Sequence, residues 1–336
     1  MRNKLLALFA CICLVAGLMF GHGIEAAGAE QAAQGECVVE VSSRRILHAK
    51  NASLPLANAS TTKIMTALVI LEDCPLEDKV TIPAEAAGVE GSSIYLQAGD
   101  EYTVEELLYG LMLRSGNDAA VALALHHSGS IAAFAQAMNE RALLLGATDS
   151  CFANPHGLPD ERHHTTARDL ALISAAAMEN EVFRTIVSTR CYSPRGWYNK
   201  NKLLTSYEGA CGVKTGYTMQ AGRCLVSAAE REGMTLVCVV LNCPPMYERS
   251  AELLNRSFAD YTLVRLADKN EGVNGFAIDH DFSYPLTEQE RTEIRISQEV
   301  VDPLPEAAGS VAGQMRIFLG NNLLFSQNLY IMEENE

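Results

Sequence analysis

Apolar residues recur along this chain in different rhythms, and each rhythm predicts a different element. Residues 37–41 are Val-rich, break at Ser42-Ser43-Arg44-Arg45 and resume at Ile46-Leu47, the mark of a β-hairpin. From Ser60 the period becomes helical: Ile64, Met65, Leu68, Val69 and Glu72 recur at the spacing of an amphipathic helix that starts at Ser60. Segments 104–113, 119–127, 131–145 and 166–178 read as further helices, and 119–127 is almost wholly apolar, hence expected to be buried. Strand character returns over 209–217, 222–229 and 235–241, the last two joined by the turn Arg231-Glu232-Gly233. A helix over 246–266 places Leu253, Leu254, Phe258 and Tyr261 on one stripe. Strands thus flank a central block of helices, which predicts an α+β domain with a helical subdomain between sheet segments. Composition shifts around 268–274, after which Ile294/Ile296 and Met315/Ile317/Leu319 alternate with period two. Gly320-Asn321-Asn322 is a turn, Leu323 to Phe325 resumes strand, and the tail over 275–332 reads as a small all-β domain.

The N-terminus has a separate logic. Arg2 and Lys4 precede an apolar run of 16 residues, and Ala27-Gly28-Ala29 offers a small-residue cleavage site. This is the pattern of a secretory signal over residues 1–29, so the protein is expected to be exported; the run is short for a membrane span, and an uncleaved signal anchor is the alternative. The 336 residues carry 26 Lys and Arg against 41 Asp and Glu, a formal charge of −15. So acidic a chain lacks the basic face that nucleic acid requires. Of ten cysteines, Cys11 and Cys13 leave with the signal; the other eight have irregular spacing and no C-x-x-C, which favours mostly buried thiols over a disulfide framework. Cysteine and histidine lack metal-ligand spacing, and no metal or other cofactor is expected.

Candidate chemistry lies in three short motifs. Ser60-Thr61-Thr62-Lys63 puts a hydroxyl and an amine at i and i+3 on one helical face. A serine hydroxyl needs a base, and lysine serves only where burial or a second cation lowers its pKa. Taken alone, S-x-x-K arises by chance, and its bland reading is an N-cap with an exposed lysine. Ser115-Gly116-Asn117 falls in a loop between two apolar helices, and Lys214-Thr215-Gly216 falls in a strand, where Gly216 permits close backbone approach by a ligand. The triple, in this order and on these element types, is a specific signal.

These motifs resemble those of the penicillin-recognising serine enzymes. The surrounding segments 59–71, 113–122, 154–158, 165–170 and 212–218 resemble the low-molecular-mass D-alanyl-D-alanine carboxypeptidases. The resemblance implies a penicillin-binding/β-lactamase-like transpeptidase fold, an antiparallel sheet plus a helical subdomain over 30–266, and a small β domain over 275–332. It implies that Ser60 attacks the carbonyl between the last two D-alanines of a peptidoglycan stem peptide while Lys63 takes its proton. Ser115 would relay a proton toward the leaving nitrogen, and Asn117 would bind the substrate amide. Lys214 and Thr215 would bind the terminal carboxylate or tune the relay, with the N–H groups of Ser60 and Tyr217 as oxyanion hole beside Gly216. Penicillin and other β-lactams would acylate Ser60 as substrate mimics.

The chain departs from that pattern in places. Where an arginine often precedes the K-T-G strand, Lys200 and Lys202 stand here without the bidentate fork. The acidic C-terminal end offers no attraction to anionic lipid, so no strong membrane anchor is expected beyond an uncleaved signal. A class A-like β-lactamase would need E-x-x-L-N between Asn117 and Lys214, and none occurs. A DD-endopeptidase would use the same residues. His126 and His127 read as charges at a helix C-terminus, and His163-His164 as a polar loop. His156 reads as a site neighbour or a loop histidine, and Trp197-Tyr198 as a cleft wall or core.

Overall fold

The fold comes from a computed structural model that describes residues 33–332; the expected export signal lies outside the described residues. Strand β1 (Gly35–Glu40) pairs with β2 (Ile46–Lys50) as the first hairpin. The 3-10 turn Ala59–Thr62 leads into α1 (Lys63–Asp73). A small ribbon, β3 (Lys79–Thr81) with β4 (Glu101–Thr103), feeds α2 (Val104–Tyr109), which starts with a capping box between Thr103 and Glu106. Helices α3 (Asn117–Ser128), α4 (Ile131–Leu144), α5 (Ala167–Glu179) and α6 (Glu181–Ser188) complete the helical block. The two-residue strands β5 (Cys191–Tyr192) and β6 (Trp197–Tyr198), and the single turn α7 (Leu203–Ser206), lead back to the main sheet. Strands β7 (Ala210–Thr218), β8 (Gly222–Arg231) and β9 (Met234–Leu241) then pair antiparallel, and α8 (Met246–Asp260) follows.

The main sheet has the order β2-β1-β9-β8-β7, so the chain's first strands close onto its last. Both faces are covered, which is why β9 is a continuous apolar run. Its Val237, Val239 and Leu241 face the helical block, while Met234, Leu236, Cys238 and Val240 face α8. Helix α3 is buried over Ala119–Ala124 among its neighbours, as an all-round apolar helix must be.

Three elements differ from expectation. Segment 104–113 is regular only to Tyr109; Gly110–Arg114 widens into a π turn that ends on Ser115 in the left-handed region, φ 66°. The last helix stops at Asp260 rather than 266, because Thr262–Ala267 is a strand, β10, pairing with β12 (Phe282–Leu286). Tertiary pairing outweighs the helical stripe there. Third, Asn117 opens α3 instead of lying in the loop.

The tail continues with β11 (Phe276–Ala277), the turn α9 (Glu288–Arg291), β13 (Ile294–Val300), β14 (Val311–Leu319) and β15 (Asn322–Ile331). Its four-stranded sheet runs β11-β15-β14-β13 around Met315, Ile317 and Leu329. Arg45 joins it to the first hairpin, bonding the Pro285 carbonyl and Glu290 and lying over the rings of Tyr261 and Tyr284. The eight described cysteines are free thiols, four of them fully buried. No described helix is long and apolar enough to cross a membrane.

Candidate active site

The three motifs meet at one edge of the main sheet. Asn58 O accepts from the Thr61 N–H at 3.2 Å and from Thr61 Oγ1 at 2.6 Å, which tightens the chain into a 3-10 turn. The α-helix therefore begins at Lys63, and Ser60 sits in the turn ahead of it, with Ala59 at φ 49°. Ser60 and Lys63 still share a side: Lys63 Nζ is 3.1 Å from Ser60 Oγ. One loop and one strand close on this turn. Gly157, at φ 84°, lies so near that any Cβ there would run into the Ala59 carbonyl oxygen. On the other side is β7, the sheet's edge strand. A Cβ on Gly216 would lie 3.2 Å from the Ser60 and Thr61 nitrogens. Gly216 thus admits the turn that carries Ser60, where the sequence suggested a ligand.

Lys63 is fully buried, and its amine has three neighbours: Ser60 Oγ, Asn117 Oδ1 at 2.7 Å and the His156 carbonyl at 2.7 Å. A neutral amine has two N–H groups and one lone pair. Asn117 Oδ1 and the carbonyl are acceptors only, so they take the two N–H groups and the lone pair is left facing Ser60. Burial first, then the positive charges of Lys214 and Lys200, push the Lys63 pKa well below the usual lysine range, against a smaller pull from Asp118. Lys214 is also buried, and burial followed by Lys200 brings its pKa down to about 7. Its Nζ donates to the Thr215 carbonyl at 2.9 Å.

Ser60, Ser115, Thr215, Gly216 and Tyr217 line one cleft of about 300 Å³. Asn117 stands behind them, 3% exposed; besides accepting from Lys63 it donates from Nδ2 to the Glu90 carbonyl at 2.6 Å, which leaves one N–H for a substrate amide. Of the two lysines before the K-T-G strand, Lys200 lines the cleft and donates to Ser92 Oγ at 3.1 Å, whereas Lys202 lies over the Tyr247 ring. Trp197 packs on the core near Gly110, and Tyr198 is exposed. His127 Nε2 lies 2.9 Å from Asp73 at the end of α3, and no metal-holding group of His, Cys, Asp and Glu occurs among the described residues.

Sequence reasoning missed several contributors. Ser92, Arg223, Met246 and Tyr247 also line the cleft. Arg223 was within reach of the pattern, since the β7–β8 register sets it opposite Tyr217. Buried Asp118 accepts from the N–H groups of Ile94 and Leu96 and from Ser93 Oγ, fixing the loop that carries Ser92. His163, placed by the sequence in a polar loop, is buried beneath the turn that carries Ser60.

A cleft-lining serine bonded to a buried lysine on a helical block, beside an edge strand bearing K-T-G, defines the class of penicillin-recognising serine enzymes. The family model that matches residues 23–244 is that of D-alanyl-D-alanine carboxypeptidase. The chain is 36% identical over 256 residues to D-alanyl-D-alanine carboxypeptidase DacF of Bacillus subtilis, a match covering 72% of this chain and 66%, just under two thirds, of that relative. It is 39% identical over 240 residues to the D-alanyl-D-alanine carboxypeptidase of Streptomyces sp. K15, covering 63% and 82%. Among solved structures, penicillin binding protein 5 from Haemophilus influenzae superposes with a TM-score of 0.74 at 29% identity, over 90% of this chain and 97% of that one. The chain belongs to the D-alanyl-D-alanine carboxypeptidase family.

Proposed function

We propose that this protein is a serine-type D-Ala-D-Ala carboxypeptidase that acts outside the cytoplasm on peptidoglycan stem peptides and is acylated by β-lactams. The observation that carries the reading is the coordination of Lys63: two acceptors hold its N–H groups and leave the lone pair to Ser60. Ser60 Oγ attacks the penultimate carbonyl as its proton passes to Lys63 Nζ, in a site whose burial and neighbouring cations disfavour the charged amine. The N–H groups of Ser60 and Tyr217 take the developing oxyanion. Ser115, held at the cleft wall by the left-handed turn, passes a proton to the leaving nitrogen. The terminal carboxylate of the substrate lies against Thr215, with buried Lys214 behind it, and Lys200 and Arg223 supply positive charge at the cleft wall in an otherwise acidic protein. The remaining N–H of Asn117 Nδ2 takes the substrate amide. Water then releases the shortened peptide from the serine ester.

A β-lactamase reading has no support in the bonds of the base, since none of the groups bonded to Lys63 is a carboxylate. The test is mass spectrometry of the protein after exposure to benzylpenicillin: the expected adduct sits on the peptide containing Ser60 and is absent from Ser60→Ala. An adduct elsewhere, or one that turns over as fast as it forms, overturns the reading.

A further inference from the structure

One buried side chain touches both halves of the reacting pair's support and has no part in the chemistry above. His163 is 6% exposed, and its ring nitrogens reach in opposite directions. The Ala153 main-chain N–H lies 3.1 Å from Nδ1, and Thr62 Oγ1 lies 2.8 Å from Nε2. A backbone N–H only donates, so Nδ1 accepts and carries no proton. In the neutral ring the proton is then on Nε2, and the bond to Thr62 runs from imidazole to hydroxyl. Thr62 Oγ1 also accepts from Asn58 Nδ2 at 2.9 Å, so both of its lone pairs are filled.

The positions of these partners give the bonds their meaning. Asn58 and Thr62 stand two residues either side of Ser60, and Ala153 stands three before His156, whose carbonyl holds Lys63. One imidazole therefore ties the turn of the nucleophile to the loop that orients the base. Burial holds the His163 pKa down to about 4; Asp160 opposes this, while His164 and Lys63 assist it. Protonation would set a second donor against the Ala153 N–H.

We propose that His163, as the neutral Nε2–H tautomer, is a positioning residue for acylation: it fixes the alignment of Ser60 and Lys63 through Thr62 on one side and through the His156 loop on the other. The inference rests on the Ser60–Lys63 reading given above. A ring that merely filled space would be replaceable by a ring of similar volume, whereas a donor to Thr62 would not.

Single-turnover acylation of the full chain by a fluorescent penicillin tests it, with wild type and Ser60→Ala run beside Thr62→Val, His163→Phe and the double variant. Each single variant is expected to lower the acylation rate constant about tenfold or more while changing initial binding less than about twofold. The double variant is expected to be no slower than the slower single, because both remove one shared bond. Wild-type rates in the singles, or losses that multiply in the double, overturn the proposal. If His163→Phe does not fold, Thr62→Val leaves the imidazole in place and decides alone, slow acylation supporting the proposal and a wild-type rate overturning it. Absence of acylation at Ser60 in the wild type would instead sink the functional reading and this inference with it.

Discussion

Lys63 Nζ and Asn117 Oδ1 lie 2.7 Å apart and join the start of α1 to the start of α3. In the proposed mechanism this bond determines which way the Lys63 lone pair points. Asn117→Asp would set a carboxylate there, and an opposite charge favours the ammonium form. Lys63 would then lose its proton only at higher pH. Acylation near pH 7 is expected to fall at least tenfold and to recover as pH rises toward about 10. Rate constants measured across that range for the variant and wild type check the shift.

Buried lysines that serve chemistry should cost stability. The Lys214 pKa is about 7 in the folded protein, below its ordinary range, so between those values the unfolded chain binds more protons. The sign is fixed by that difference: stability rises with pH through the window and is lost as pH falls. Lys214→Met should raise unfolding stability near pH 7 by roughly 1–4 kcal/mol while abolishing acylation. Urea unfolding at several pH values should show this gain shrinking as pH rises.

Gly157 and Gly99 both have positive φ, 84° and 89°, yet alanine should not cost the same at each. Nothing lies within 4 Å of a Cβ at Gly99, whereas one at Gly157 meets the Ala59 carbonyl. Gly99→Ala is expected to cost about 1 kcal/mol, from backbone strain alone. Gly157→Ala should exceed about 3 kcal/mol and remove acylation, since the turn carrying Ser60 must move. Denaturant midpoints and penicillin labelling on the two variants make the comparison.

Glu36 is fully buried on β1 and receives Arg249 of α8 through two bonds of 2.9 and 2.8 Å, with His48 at 3.0 Å. Burial works to raise its pKa, but the bonds from His48 and Arg249 outweigh it and bring the value to about 2. A carboxylate held below its unfolded pKa stabilises fully above that pKa and loses the contribution as pH falls toward 2. Glu36→Gln removes the charge facing His48 and Arg249, which keeps Glu252 at 2.7 Å, and should cost about 1.5–3 kcal/mol at neutral pH, with much less difference from wild type in acid. Thermal melts at neutral and acid pH test both halves.

Much of this was legible in the sequence, for physical reasons. The continuous apolar run of β9 and the helical stripe after Lys63 come from burying two faces or one, so the hydrophobic pattern reports them directly. Ser60, Lys63, Ser115 and Lys214 carried a spacing signature that chance rarely assembles. The failures came where long-range contacts decide. Thr262–Ala267 is a strand because β12 pairs with it, and no local signal announces that partner. His163 looked like part of a polar loop because burial by a segment a hundred residues away is invisible to a local pattern. Ser60 fell one turn short of the α-helix because Thr61 bonds back to Asn58.

The most direct test of the chemistry is D-alanine release from a peptide ending in Lys-D-Ala-D-Ala, measured for the exported form of the chain beside Ser60→Ala. Release by the first and none by the second is the expected result. Equal release by both, or none by a wild-type protein that penicillin still acylates at Ser60, would contradict a carboxypeptidase acting through Ser60.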